Sequence, residues 1–469
     1  MRIDRLELKN FKKFAEQTFE FPRPLDAGPG GGSFHVLIGE NGSGKTSILD
    51  AAAVALGVWL ERVPDSLLAN SHRRLTADQK RLVTIGAGDR TQLQQAAGEM
   101  AVRASGTILD RTGVTWGQKL LQGKRRVSND EAREALELIW SAYEQVQQGQ
   151  HVLLPVISYY GAGRAWLPHN QRRQMKARSN GPANRWEAFY DCLNDRIRMS
   201  DLNGWFRAEA IERGNRGGRY RPGFEVVLRA VFGVVPGTDA MSYDADREEI
   251  ELSIDGNRQP FSNLSAGQRS LFALVADIAI KMVTQNNYLV PPDVLGPDDE
   301  PLPRVLAQTP GVVLIDELDV HLHPRWQRGV VDGLRKVFPA VQFIGTSHSP
   351  FIVQSLRGEE LINLEGPTIP ELGNQSVEAI ARGLMGVERP DVGERYQEMV
   401  VAAKDYLVTL DEAAKAPAEK LAEFEKRLAD RIAPYADNPA FQAFLELKHA
   451  ARLGADGTGD GNAHAQGGS

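Results

Sequence analysis

The chain has 469 residues, 42% hydrophobic and 25% charged, which is ample apolar material for a large globular core. Its net charge of −6 excludes a uniformly basic nucleic-acid binder, so any such contact must come from local patches. One cysteine, Cys192, excludes a disulfide framework and a cysteine-ligated zinc site, and a reducing cytosol is the expected compartment. Residues 1–8 alternate like a strand and do not read as a signal peptide. The longest apolar run, 271–283, is too short for a bilayer and carries Asp277 and Lys281, so no membrane association is expected.

Residues 1–60 are expected to run strand, turn, strand, phosphate loop, helix. Residues 39–46 read Gly-Glu-Asn-Gly-Ser-Gly-Lys-Thr and fit G-x-x-x-x-G-K-[ST], between an apolar strand at 34–38 and a helical run from Ser47. Gly39, Gly42 and Gly44 let the backbone around Asn41 and Ser43 curl, so that several N–H groups face one phosphate at the positive end of a helix. Lys45 then reaches the β- and γ-phosphates of ATP, and the Thr46 hydroxyl ligates Mg²⁺. Lys12 and Lys13, just after the opening strand, are either a solvated turn or a basic lid near the nucleotide.

Residues 61–150 are expected to form a mostly helical, polar insertion, with a few extended pieces such as 81–85 and one strong helix over 128–148. The apolar run 152–160 predicts a buried strand. It ends near Tyr160 and Arg164, where α/β proteins place ligand groups, so both are candidates for a lid. Segment 166–248 is expected to be helical with two basic loops. One holds Arg172, Arg173 and Lys176; the other holds Arg216, Arg219 and Arg221 with Gly and Tyr interleaved. Each is either a solvated loop or a nucleic-acid contact, and the second is the better candidate.

Strands around an Asp255-Gly256 turn come next. Leu264, Ser265, Ala266, Gly267 and Gln268 open a long helix over 269–284, with Ser265 placed as its N-cap. Residues 312–317 predict a buried strand that is apolar until it ends in two acids. Acids there need a cation, which Mg²⁺–ATP supplies: Asp316 suits the ion's shell and Glu317 the attacking water. The strand 341–346 leads to His348, a candidate γ-phosphate contact. Segment 366–453 is expected to be helical, and 454–469, rich in Gly, Asp and Ala, disordered.

The order of these motifs (phosphate loop, Leu-Ser-Ala-Gly-Gln, Ile-Asp-Glu, Ser-His-Ser-Pro) resembles the ABC-class ATPases. The opening Leu6-Glu7-Leu8-Lys9-Asn10-Phe11-Lys12-Lys13-Phe14 looks like RecF- and SMC-type heads. Residues 316–324, Asp-Glu-Leu-Asp-Val-His-Leu-His-Pro, are similar to the branch that holds RecF-like, OLD-family and Septu ATPases. The likeness covers most of residues 1–400. It implies an α/β, ABC-type P-loop head formed by 1–60, 151–165 and 249–365. A mixed sheet flanked by helices is expected there, interrupted by the insertions 61–150 and 166–248.

The resemblance also implies a homodimer, alone or within a higher oligomer, in which residues 264–268 of one subunit complete the ATP site of the other. ATP hydrolysis would then control a DNA-directed process in the cytoplasm, as in anti-phage systems where such an ATPase works beside an HNH-type nuclease or a retron. No acidic cluster like the OLD-family nuclease follows Pro350, so a nuclease would be a partner. A RecF-like repair ATPase is the alternative. A transporter subunit predicts a short spacing from phosphate loop to signature and a clear Q-loop glutamine, and the chain has neither. His323 stands where an aspartate is common, and Ala266 where glycine is.

Overall fold

The computed structural model describes residues 1–24, 30–61, 73–85, 92–124, 126–163, 182–189, 191–290, 302–366, 372–387, 390, 393–413 and isolated positions up to 445. They fall into two compact units, Met1–Met385 and Gly386–Ser469. Arg164, Arg172, Arg173, Lys176 and the tail 454–469 lie outside the described residues.

Alternation in the opening residues yields β1 (Arg2–Phe11), which buries Ile3, Leu6 and Leu8 and folds back antiparallel on β2 (Phe14–Glu20). β3 (Ser33–Ile38) is buried along its whole length, as a central parallel strand must be. The helix Lys45–Leu56 follows it directly through the glycine-rich loop.

The expectation of a mostly helical insertion at 61–150 is overturned. Its described residues form β4 (Leu82–Ile85), β5 (Gln92–Gln95), β6 (Met100–Ile108) and β7 (Arg111–Leu120). Among the described residues of this segment, helix is confined to short 3-10 turns and to Arg133–Gln147. The reason lies in pairing: β6 joins the free edge of β1, giving a four-stranded antiparallel sheet in the order β2-β1-β6-β7. Its period-two signal is muted because Ala, Ser, Gly and Thr stand between Met100, Val102 and Ile108, yet buried and half-buried positions alternate without a break.

β8 (Val156–Tyr160) opens the next stretch. In 166–248, helices Met199–Asn215 and Pro222–Val234 are followed by β9 (Thr238–Asp244), a strand not expected in a helical insertion. It pairs with β10 (Glu249–Ile254), which turns through Asp255 and Gly256, both at positive φ, into β11 (Asn257–Pro260). The helix Ala266–Gln285 follows, then β12 (Gly311–Ile315), helix Pro324–Val337, β13 (Val341–Thr346) and β14 (Leu361–Asn363). Helix Val377–Leu384 closes the first unit. In the second unit, helix Glu394–Ala413 packs Tyr406 and Leu410 with Leu445.

The head is α/β as expected, with its parallel and antiparallel strands in separate sheets. The central sheet is wholly parallel, ordered β14-β3-β13-β12-β8. Its two faces divide the core. Val156, Tyr160, Val313, Ile315 and Phe343 face the helices Pro222–Val234, Ala266–Gln285 and Pro324–Val337. Ile157, Tyr159, Val312, Leu314 and Ile344 face the Lys45–Leu56 helix and the antiparallel sheet. The phosphate loop, the Asp316-Glu317 pair and the His348 loop therefore leave one end of one sheet, beyond the carboxyl ends of β3, β12 and β13.

Candidate nucleotide-binding site

The carboxyl ends of β3, β12 and β13 enclose a cleft of about 420 Å³. Asn41, Gly42, Gly44, Lys45, Thr46 and Ser47 line one side of it. Asp316, Glu317, Thr346 and His348 line the other, and Lys12 and Lys13 lie over the mouth. Sequence elements more than 300 residues apart are brought together by the parallel register of the strands.

The loop has the backbone a phosphate cradle needs. Gly39, Gly42 and Gly44 all have positive φ, and Gly44 stands as the N-cap of the following helix. A Cβ on Gly44 would meet the Phe14 ring at 2.6 Å and Lys13 Cδ at 2.8 Å. Ser43 Oγ is buried against Gly39 and has no hydrogen-bond partner among the described residues. Lys45 is only 8% exposed, and its Nζ donates to the carbonyls of Gly39 (2.7 Å) and Glu40 (2.9 Å). Burial pulls its pKa below the ordinary lysine value, while Glu365, Asp316, Glu317 and Asp319 pull it up. A partly desolvated ammonium with no ion pair at hydrogen-bond distance is placed to gain from an incoming phosphate.

The acidic side is held by a residue that sequence reasoning missed. Thr346, fully buried at the end of β13, donates through Oγ1 to Asp316 Oδ1 at 2.7 Å and accepts the Glu317 N–H at 2.7 Å. Thr46 Oγ1 donates to the other Asp316 oxygen at 3.0 Å. Thr46 and Asp316 are thus already adjacent and offer the hydroxyl and carboxylate oxygens that Mg²⁺ prefers, so the donor set fits that ion. Glu317 has φ 48°, left-handed backbone that costs a non-glycine residue about 1–3 kcal/mol. The Thr346 bond to the Glu317 N–H offsets that strain. The signal for Thr346 was its hydroxyl at the end of the strand that leads to His348.

His348 is exposed, and its backbone N–H donates to Asp319 Oδ1 at 3.2 Å, which anchors the loop carrying the imidazole. Lys13 Nζ donates to the Gly42 carbonyl at 2.7 Å. Lys12 pairs with Asp50 on the Lys45–Leu56 helix, and Arg73 binds the other Asp50 oxygen at 2.8 Å. Both lysines therefore line the cleft, each tied to the loop or its helix. Asp50 also went unread in the sequence, because an acid in a helix is ordinarily a surface residue.

Tyr160 is not a lid. It is 2% exposed, and its hydroxyl donates at 2.6 Å to Asp277 on the helix Ala266–Gln285, on the core face of the sheet. The period of two in β8 sends Tyr160 with Ser158 and Val156 toward that helix, away from the cleft.

Ser265 caps the helix Ala266–Gln285 as expected: its hydroxyl accepts from the Gln268 N–H at 3.3 Å, and the Gln268 side chain accepts from the Ser265 N–H at 2.9 Å. Leu264 and Gly267 are buried, Ala266 and Gln268 half-buried, and Ser265 exposed. None of the five lines the cleft formed by this chain's own phosphate loop. A Cβ on Gly267 would lie 2.3 Å from the His321 carbonyl, so the 319–323 loop is seated directly on the start of this helix. His323 caps the next helix by accepting from the Arg325 N–H at 3.2 Å. Gly267→Ala should cost about 1–3 kcal/mol through this overlap. A thermal melt checks it, and an unchanged melting temperature would show that the loop is not seated there.

The candidate nucleic-acid residues divide. Arg216 and Arg219 are exposed. Arg221 instead clamps the carboxylate of Glu209, which is 3% exposed, so its role is to neutralise a buried acid.

A family model described as "AAA domain" matches residues 5–211, and one described as "AAA domain, putative AbiEii toxin, Type IV TA system" matches 207–354. The chain is 35% identical over 136 residues to "Retron Vc95 probable ATPase" of Vibrio cholerae serotype O1 biovar El Tor, covering 27% of this chain and 24% of that protein. It is 23% identical over 364 residues to "Septu protein PtuA" of Bacillus mycoides (strain KBAB4), covering 77% of this chain and 40% of that protein. The matches thus span about a quarter and two fifths of these relatives' lengths. Among solved structures, the "SMC head domain from Thermotoga maritima" corresponds at a TM-score of 0.37 and 14% identity, over 79% of this chain and 99% of that one. Among the described residues, no helix is long and apolar enough to cross a membrane.

Proposed function

We propose that this chain, whose motifs resemble those of SMC/RecF-like heads and which is similar to retron and Septu ATPases, hydrolyses Mg²⁺–ATP and uses the ATP-bound state to join two copies of itself. The observation that carries this reading is the separation of two halves of one site. The phosphate loop and the Asp316-Glu317 pair share a cleft, while the capped helix start at Ser265 lies outside it. A helix N-terminus with an exposed hydroxyl attracts a phosphate, and a second copy can supply one.

In this mechanism Lys45, the loop N–H groups and Ser43 Oγ hold the phosphates. Thr46 and Asp316 would hold Mg²⁺, which would supply positive charge against the phosphate oxygens. Glu317 accepts a proton from the attacking water as its oxygen bonds the γ-phosphorus. The bond from that phosphorus to the β–γ bridging oxygen breaks, leaving ADP and inorganic phosphate. His348 orients the γ-phosphate. Loss of that phosphate removes the ligand shared by the two copies, so hydrolysis releases the dimer.

The process controlled by this cycle is DNA-directed in our reading, with an HNH-type nuclease as partner. Arg216 and Arg219 support a phosphate-backbone contact by their exposure beside the positive-φ glycines Gly217 and Gly218. Replacing both arginines by glutamate should lower affinity for double-stranded DNA about tenfold at roughly 0.1 M salt and flatten the salt dependence by about two phosphate contacts. A fluorescence-anisotropy titration over several salt concentrations reads both. Wild-type affinity with an unchanged slope would remove this loop from any DNA interface. If sedimentation of Glu317→Gln shows no ATP-dependent gain in mass and a hydrolysis assay of the wild type shows no DNA stimulation, the gated DNA machine itself is refuted.

A further inference from the structure

Between β8 and the helix Ala266–Gln285 lies a polar cluster that joins two functional regions. Tyr160, the last residue of β8, uses its carbonyl to accept the backbone N–H of Asp316 at 2.7 Å. Its hydroxyl donates to Asp277 Oδ2 at 2.6 Å. The same carboxylate oxygen accepts from Lys281 Nζ at 2.6 Å, and Lys281 also donates to Ser158 Oγ at 2.9 Å. Lys281 Nζ stands 5.5 Å from the Tyr160 ring centroid. Ser158 is fully buried, and the Lys281 and Asp277 side chains are 15% and 24% exposed. Around them pack Leu274, Val275 and Ile278.

A charge pair in such surroundings is poor value for stability alone, since apolar side chains of the same volume serve as well. What it supplies is direction: a fixed register between strand and helix that sliding apolar surfaces lack. One end of Tyr160 holds the acid at the Mg²⁺ position, and the other holds the helix that starts at Ser265.

We propose that Tyr160 is a positioning residue that couples the nucleotide cleft to the signature helix, through its carbonyl on Asp316 and its hydroxyl on the Asp277–Lys281 pair. It rests on the reading that Asp316 serves bound Mg²⁺–ATP. When Asp316 gives up its Thr46 contact to serve the ion, β8 moves with it, and the hydroxyl carries the shift to the helix.

Hydrogen exchange on the full-length chain with and without Mg²⁺–ATP tests this, comparing wild type with Tyr160→Phe, which keeps the ring and deletes only the hydroxyl. Two peptides are read: the phosphate loop with its helix, 39–56, and the body of the signature helix, 271–281. The second lies inside the subunit, so its protection does not depend on dimer formation. In wild type, ATP should slow exchange in both peptides by about threefold or more. In Tyr160→Phe only the phosphate-loop peptide should respond, and kcat should fall about tenfold with KM for ATP within twofold. Asp277→Asn keeps an acceptor for the hydroxyl and should retain the helix response, whereas Asp277→Leu should lose it.

A Tyr160→Phe protein whose helix still responds fully to ATP overturns the coupling, as does a wild-type helix that never responds while the phosphate loop does. A lowered melting temperature with unchanged coupling marks the cluster as structural and equally overturns the proposal. If the phosphate-loop peptide fails to respond in wild type, the nucleotide reading falls first. If both peptides respond but no dimer forms, only the dimer reading falls.

Discussion

Replacing Glu317 by glutamine should slow ATP hydrolysis by about 10²–10³-fold while leaving ATP binding intact, and should accumulate an ATP-bound dimer. The side chain keeps its volume and its backbone bond to Thr346, so the cleft geometry is retained. What is lost is the carboxylate that takes the proton from water. With hydrolysis blocked, the γ-phosphate stays in place and the two copies stay joined. Light scattering of the variant with Mg²⁺–ATP should show a doubled mass, and ADP should not produce it. Hydrolysis at the wild-type rate would remove Glu317 from the role of base. A slow enzyme that stays monomeric would keep the base and discard the ATP-gated dimer.

Lys45→Ala should weaken ATP binding by roughly 10²-fold or more and abolish measurable turnover. Lys45 forms two hydrogen bonds to its own loop, at 2.7 and 2.9 Å, and is nearly buried. Charge-assisted bonds to a phosphate contribute about 1.5–3 kcal/mol each, so losing two exceeds the roughly 2.7 kcal/mol that corresponds to a hundredfold. The loop should keep its shape, because its glycines and the packing of Phe14 on Gly44 set it independently. A fluorescent ATP analogue titration checks the affinity, and a thermal melt confirms that the fold survives. Affinity within threefold of wild type would place the phosphates elsewhere.

The cleft was largely legible before folding because each motif carries its own local physics. Glycines at 39, 42 and 44 can only serve a tight loop. Asp316 and Glu317 end a strand that is otherwise all apolar, and Ser265 with Gln268 spells a capping box. Those signals are short-range, and their order along the chain named the class of head. Three things were not legible. The strands of 82–120 hid behind a weak alternation that becomes decisive only when β1 offers an unpaired edge. Thr346 and Asp50 are ordinary residues until parallel pairing and helix packing bring them to the acids and lysines they hold.

Tyr160 shows the limit most clearly. Its place at a strand end predicted a ligand contact, but the period of two in β8 chose the other face, and a chain position cannot tell which face a sheet will cover. The sequence by itself determined the nucleotide loop, the acidic strand end and the capped signature helix, because backbone conformation and local hydrogen bonding decide those within a few residues. Only the tertiary structure decided which side chains support them, because hydrogen bonds between residues tens to hundreds of positions apart exist only once the sheet has set the register.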